Sequence, residues 1–258
     1  MNQLSIFLGS LRYEFRMQIR RRPLWITFIV LGLFFTQFHI WNTPRIRTAA
    51  DMVIFWTGVV QTYLAVAVGV LLADRLVRDR RTKVEELFNA LPCTLSARIL
   101  GKYLGCTLAT LVPMFTIYSL GVGYIVYHQQ DIQILPLALV TFAAIALPGI
   151  LFVAAFSLAC PVILWVPLYQ FLFIGYWFWG NLLPPVGIPT LSGTILTPVG
   201  GYMCTGFFNP AGREGVCSPG IQGATAIQGI ESMLLLLSMA ILVMFAVWAY
   251  LKWQQARQ

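Results

Sequence analysis

Charge is what this sequence has least of. Of its 258 residues only 10% are Asp, Glu, Lys or Arg, against 59% hydrophobic, and the mean hydropathy is +0.77. Residues 132–212 contain no charged side chain at all. A water-soluble domain of this size keeps far more charge on its surface, so the composition points to a polytopic membrane protein. Histidine is almost as scarce, with His39 and His128 alone. The five cysteines show no metal-ligand spacing. No Asn-x-Ser/Thr sequon occurs, so nothing points to glycosylation. The N-terminal stretch has too long a polar lead-in for a signal peptide, and no small-residue cleavage site follows its first apolar run. The net charge of +8 raises nucleic acid as a partner. The basic residues instead gather between apolar runs, as the positive-inside rule expects, so no nucleic acid is expected.

What is there is a series of long apolar runs. Residues 1–22 form an amphipathic helix: Leu4, Phe7, Leu8, Leu11, Phe15 and Ile19 recur every three or four positions, and Arg12, Arg16 and Arg20 make a basic stripe at i, i+4 spacing. That pattern suits a helix lying in the membrane interface with its arginines toward anionic lipid headgroups. Spans are expected at about 24–41, 52–73, 103–127, 132–159, 162–183 and 233–251. The first has 18 residues, about 27 Å at roughly 1.5 Å per residue, with Trp25 and Trp41 at its ends. Pro113 lies inside the third, and Pro148 with Gly149 is expected to kink the fourth. The fifth is crowded with aromatics, which either line a path or meet lipid and a partner subunit. Thr57, Gln61 and Gln170 are polar groups at depth, lining a path or bonding neighbouring helices. Residues 184–230 are rich in proline and glycine yet largely apolar over 188–208. They read as an outer segment that dips partway into the membrane. With the N-terminus inside, only Arg45, Arg47 and Arg213 of the 17 basic residues lie outside. The expected arrangement is therefore an all-α, multi-pass single transmembrane domain over 1–258 with both termini cytoplasmic.

The most charged stretch is 78–92, Arg-Asp-Arg-Arg-Thr-Lys-Val-Glu-Glu-Leu-Phe-Asn-Ala-Leu-Pro. It reads as a short cytoplasmic helix capped by Asp79 or Thr82. Glu85 and Glu86 fall in its first turns, Val84, Leu87, Phe88 and Leu91 form an apolar face, and Pro92 stops it. Such a face needs a partner, and the choice lies between headgroups and another protein.

Six spans, an N-terminal interfacial helix and this charged helix between the second and third spans resemble an ABC-2 type transporter permease. Locally the resemblance rests on Asp79-Arg80-Arg81, Glu86-Leu87, Ala90-Leu91-Pro92 and Leu100-Gly101-Lys102-Tyr103-Leu104-Gly105. The commoner Gly-Thr before the acid is replaced by Lys83-Val84. The resemblance implies a coupling helix, with Arg80, Arg81, Glu85, Glu86, Leu87, Phe88, Leu91 and Pro92 docking in a cleft of a separate ATP-binding subunit. It also implies a second permease copy, identical or related, in a bacterial plasma membrane, an exporter function, and short re-entrant helices within 184–230. ATP and Mg would sit on the partner subunit. Gly101-Lys102 lacks the upstream glycine and the Ser/Thr of a phosphate-binding loop, so this chain carries no nucleotide site, cofactor or catalytic residue of its own.

Two rival classes stand beside that reading. A stand-alone membrane enzyme would need paired acids or histidines within the spans. Phe35 to His39 has one protease-like spacing, but no acid completes a metal site with His39 and His128. A secondary transporter usually needs ionisable groups within the membrane, and the expected span interiors have none. Cys204 and Cys217 share the outer polar segment. They are expected to form a disulfide in an oxidising compartment, the alternative being two free thiols. No substrate site is legible.

Overall fold

The computed structural model describes residues 3–40, 48–81, 94–183, 190–209, 216–217, 221 and 223–257. Every regular element among them is helical. In order these are α1 (Gln3–Ile19), α2 (Arg22–Ile40), α3 (Ala49–Leu72), α4 (Arg75–Arg81), α5 (Leu95–Gln129), α6 (Ile134–Thr141), α7 (Leu147–Ala159), α8 (Val166–Leu182) and α9 (Ala226–Gln255). A π turn, Phe142–Ala146, joins α6 to α7, and a short helical piece, Gly201–Met203 with the π turn Cys204–Phe208, precedes α9. Four stretches are long and apolar enough to cross a membrane: Ala49–Arg78, Leu95–Gln129, Ile134–Val162 and Ala226–Gln255. The stretch Arg22–Phe35 of α2 is a shorter apolar helix, and α8 has 17 residues.

Helix α3 is the hub. It packs against α2, α5, α6, α7 and α8 and is buried over most of its circumference. A helix apolar all round belongs in such a position. Thr48 starts it: its hydroxyl accepts from the Asp51 backbone N–H at 3.2 Å and donates to the Asp51 carboxylate at 2.7 Å. Side chains donate to backbone carbonyls across the contacts of this hub with its neighbours. Trp56 Nε1 reaches the Tyr118 carbonyl at 3.2 Å, Trp177 Nε1 the Thr62 carbonyl at 2.7 Å, and Gln170 Nε2 the Val70 carbonyl at 3.0 Å. These bonds tie helices together where burial against lipid supplies little drive. Gln170 and Thr57 thus act as links between helices.

Several boundaries differ from the sequence expectation, each for a local reason. The third span begins at Leu95 rather than near 103, because residues 95–102 already pack against α1. Pro113 does not interrupt it: the residue is buried among neighbours, which tolerate one missing backbone bond. In the fourth span the disturbance falls ahead of Pro148, in the π turn 142–146. There a wider turn relieves the clash a proline ring makes with the preceding turn. Helix α9 starts at Ala226, not 233, because Thr225 and Gln228 form a reciprocal capping box. Asp79 is not a cap. Helix α4 starts at Arg75, directly after α3, so Asp79 lies inside it, and Thr82 falls outside the described residues.

Helix α1 packs along α5. Its Phe7–Ser10–Leu11–Glu14–Gln18 side faces α5, and the ridge Leu4–Leu8–Arg12–Arg16–Arg20 stays exposed. Gly101 and Gly105 permit this approach. A Cβ at Gly101 would come within 2.8 Å of the Ser10 side chain, and one at Gly105 within 2.7 Å of the Leu11 carbonyl oxygen. Small residues four apart let two backbones meet in this way. Where α1 ends, Trp25 Nε1 donates to the Ile19 carbonyl at 2.9 Å, satisfying a terminal acceptor. Gly105→Val is expected to force α1 off α5 and to cost about 1–3 kcal/mol. Thermal unfolding in detergent checks it; an unchanged transition would show that the contact is dispensable.

Candidate functional site

Three buried charged residues, Glu14, Arg75 and Lys102, meet where α1, the α3–α4 junction and α5 come together. Lys102 lies two turns into α5 and is 2% exposed. Its ammonium stands 3.3 Å from the Glu14 carboxylate of α1 and donates to the Arg75 carbonyl at 3.2 Å. Glu14 is 7% exposed and also accepts from the Cys106 thiol at 3.7 Å. Arg75, the first residue of α4, is 1% exposed, and among the described residues its three guanidinium nitrogens have no hydrogen-bond partner. One lysine thus joins three elements. It pairs with α1, holds the first carbonyl of α4 and belongs to α5. The junction fixes the base of α4, which precedes residues 82–93 in the chain.

At the other end of the molecule, residues 190–209 pack into the bundle. Gln61, twelve residues into α3 and fully buried, donates through Nε2 to the Pro198 carbonyl at 2.8 Å. Gly149 makes room: a Cβ there would meet Gln61 Nε2 at 2.1 Å and the Pro198 carbonyl oxygen at 2.2 Å. Ser232 of α9 donates to the Ile195 carbonyl at 2.7 Å, and Thr197 to Asn181 Oδ1 at 3.3 Å. Beside Gln61, the hydroxyls of Thr57, Tyr118 and Thr141 lie 3.2 Å from one another and end on the Ala138 carbonyl, which accepts from Tyr118 at 2.8 Å. Gln61 therefore anchors an incoming backbone segment.

Of the residues expected to couple to a partner, Arg80 and Arg81 end α4. Glu85, Glu86, Leu87, Phe88, Leu91 and Pro92 lie outside the described residues. The structure joins Cys204 and Cys217 as a disulfide with Cα atoms 5.8 Å apart, stapling Val216 and Cys217 onto the short helix before α9. The aromatic α8 divides by face. Tyr169, Phe173 and Trp177 turn inward at i, i+4 spacing, while Trp165, Phe171 and Tyr176 are exposed. His128 is exposed near the end of α5, and His39 lies in α2. Among the described residues no three His, Cys, Asp or Glu gather as a metal site.

The junction is not legible in the sequence. The apolar residues of α1 dominate its pattern and hide Glu14 and Gln18, and hydropathy places Arg75 and Lys102 outside the spans 52–73 and 103–127. The available signal was Gly101-x-x-x-Gly105 facing an acid on another amphipathic helix.

Two outcomes are expected. Glu14→Gln leaves a buried ammonium uncompensated and should cost about 3–5 kcal/mol. Adding Lys102→Met should return most of that loss, and a double-mutant cycle in detergent measures the coupling. Cys204→Ser is expected to cost about 3 kcal/mol if the disulfide is present in the native membrane. Mass spectrometry of unreduced peptides checks this directly, and two alkylatable thiols would overturn it. Comparison with known protein families and with curated proteins finds no match for this chain.

Proposed function

We propose that the chain is the membrane subunit of an ATP-driven ABC exporter, with six spans, working as a dimer beneath which two separate ATPase subunits hydrolyse Mg-ATP. Its substrate would be hydrophobic or amphipathic. In this reading α2 and α8 complete the six spans, residues 190–209 form the re-entrant outer segment, and both termini face the cytoplasm of a bacterial cell.

The observation that carries the reading is the junction at the base of α4. A docked ATPase pushing on 80–92 acts on a short helix whose first carbonyl is held by Lys102 of α5 and which continues from α3. A push there is transmitted to the second and third spans together, and through Glu14 to α1. The spans tilt, and the dimer interface opens outward. Helix-in-cleft docking uses the apolar side chains Leu87, Phe88 and Leu91 for affinity, and Arg80, Arg81, Glu85 and Glu86 for register.

The buried Glu14–Lys102 pair gives the secondary-transporter reading its best support, since ionisable groups away from water often mark ion pathways. That pair lies at one end of α5 rather than midway along it. Purification of the tagged chain from its own membranes in mild detergent separates the two. The exporter reading expects a stoichiometric ATPase that is lost when residues 84–91 are scrambled. It also expects Glu86→Arg and Leu87→Asp to insert normally while hydrolysis no longer drives transport. A clean preparation with no partner and no hydrolysis would overturn it.

A further inference from the structure

We propose that the outward groove of α1 is a discrete site for one anionic phospholipid, with the lipid phosphate on the arginines and its acyl part on the neighbouring apolar side chains. The helix sorts its charge. Its one acid, Glu14, turns inward to Lys102. Arg12 and Arg16, with Arg20 just past the helix end, stay on the exposed ridge. Among the described residues none of these three arginines has a hydrogen-bond or ion-pair partner.

Arg12, Arg16 and Arg20 share one open groove of about 700 Å³ with Gly9, Tyr13 and Met17. That volume lies within the roughly 300–1,000 Å³ that small-molecule sites occupy. Arg12 and Arg16 stand one turn apart, about 6 Å along the axis, so both guanidinium forks can converge on one phosphate. Gly9 leaves the far end open, since a Cβ there would meet nothing within 4 Å. Charge alone would suit any phosphate, and the apolar members decide for a lipid. Met17 and the Tyr13 ring lie in the groove itself, and the same ridge continues into Leu4 and Leu8, which are 67% and 52% exposed. Inorganic phosphate has nothing to place on these side chains, whereas a phospholipid carries both parts. The apolar helix α2 begins at Arg22, which puts the groove at headgroup depth when α2 enters a bilayer. An amphipathic pattern by itself gives only a loose film of anionic lipid along a helix. Packing makes this a fixed place, because the Glu14–Lys102 pair and the close contacts at Gly101 and Gly105 hold α1 in one orientation. The inference rests on the membrane character of the chain and not on an ATPase partner.

The test uses the full chain, purified in mild detergent, with native mass spectrometry during titration with phosphatidylglycerol or phosphatidylcholine. Saturable retention of about one phosphatidylglycerol per chain is expected, at least about tenfold tighter than phosphatidylcholine and not displaced by inorganic phosphate. Arg12→Gln combined with Arg16→Gln, both at exposed positions, should weaken retention at least about tenfold while the protein elutes as the same monodisperse species. Should that variant not fold, Gly9→Glu, in open space, should weaken it to a similar degree by repulsion. Arg257→Gln, which removes an exposed cation 3.7 Å over the Trp253 ring, should leave it unchanged. Equal retention of the two lipids by the folded wild type would overturn the proposal. So would displacement by inorganic phosphate, wild-type affinity in the folded groove variants, or an equal loss in Arg257→Gln.

Discussion

An ammonium group buried in an apolar bundle must be met by opposite charge, and the arrangement of the basic end of this molecule follows from that need. Lys102 finds its carboxylate on α1. Glu14 can reach it because Gly101 and Gly105 let α1 lie against the α5 backbone. The same ammonium then caps the first carbonyl of α4. Exposed ion pairs contribute little, but here both partners are buried, and removal of either strands the other. The pair therefore acts less as a source of stability than as a device that permits one placement of α1.

A second constraint governs the opposite end. Backbone that is not helical carries polar groups that need partners away from water. The stretch around Pro198 meets this with side chains borrowed from the bundle, Gln61 from α3 and Ser232 from α9, while its own Thr197 donates to Asn181 of α8. Gly149 holds the passage open. Two irregular features, the π turn before Pro148 and the stretch 190–209, thus meet at one place along α3. That position would respond to any movement of this stretch.

Much of the helical framework was legible because long apolar runs have few alternatives. Residues 52–73 and 233–251 fall in membrane-length helices, and 132–159 does so from residue 134 onward. Helix starts were less legible, since they depend on caps such as Thr225 with Gln228 and on packing that begins before the apolar run. The junction was not legible. Glu14 has no sign of burial in its own neighbourhood of sequence, and its partner lies on a helix that hydropathy alone begins eight residues late. The inward ridge of α8 followed from i, i+4 spacing, but which side of that helix met protein was a tertiary matter.

The distance in sequence between the two halves of the junction bears on how the molecule is made. Cys106, which donates to Glu14, is synthesised 92 residues after it. When α1 leaves the ribosome, the groove that will receive it does not exist. Helices α2 and α3 are made first, and α5 must arrive before the Glu14 carboxylate can be enclosed. Until then α1 waits in water or among headgroups, where a carboxylate and three exposed arginines are at ease. Its mixed character, with apolar and polar side chains on both the side that ends buried and the side that ends exposed, suits a segment that must be stable in two surroundings in turn. Docking of α1 is thus a late event in biogenesis, and the bundle closes around its earliest-made helix.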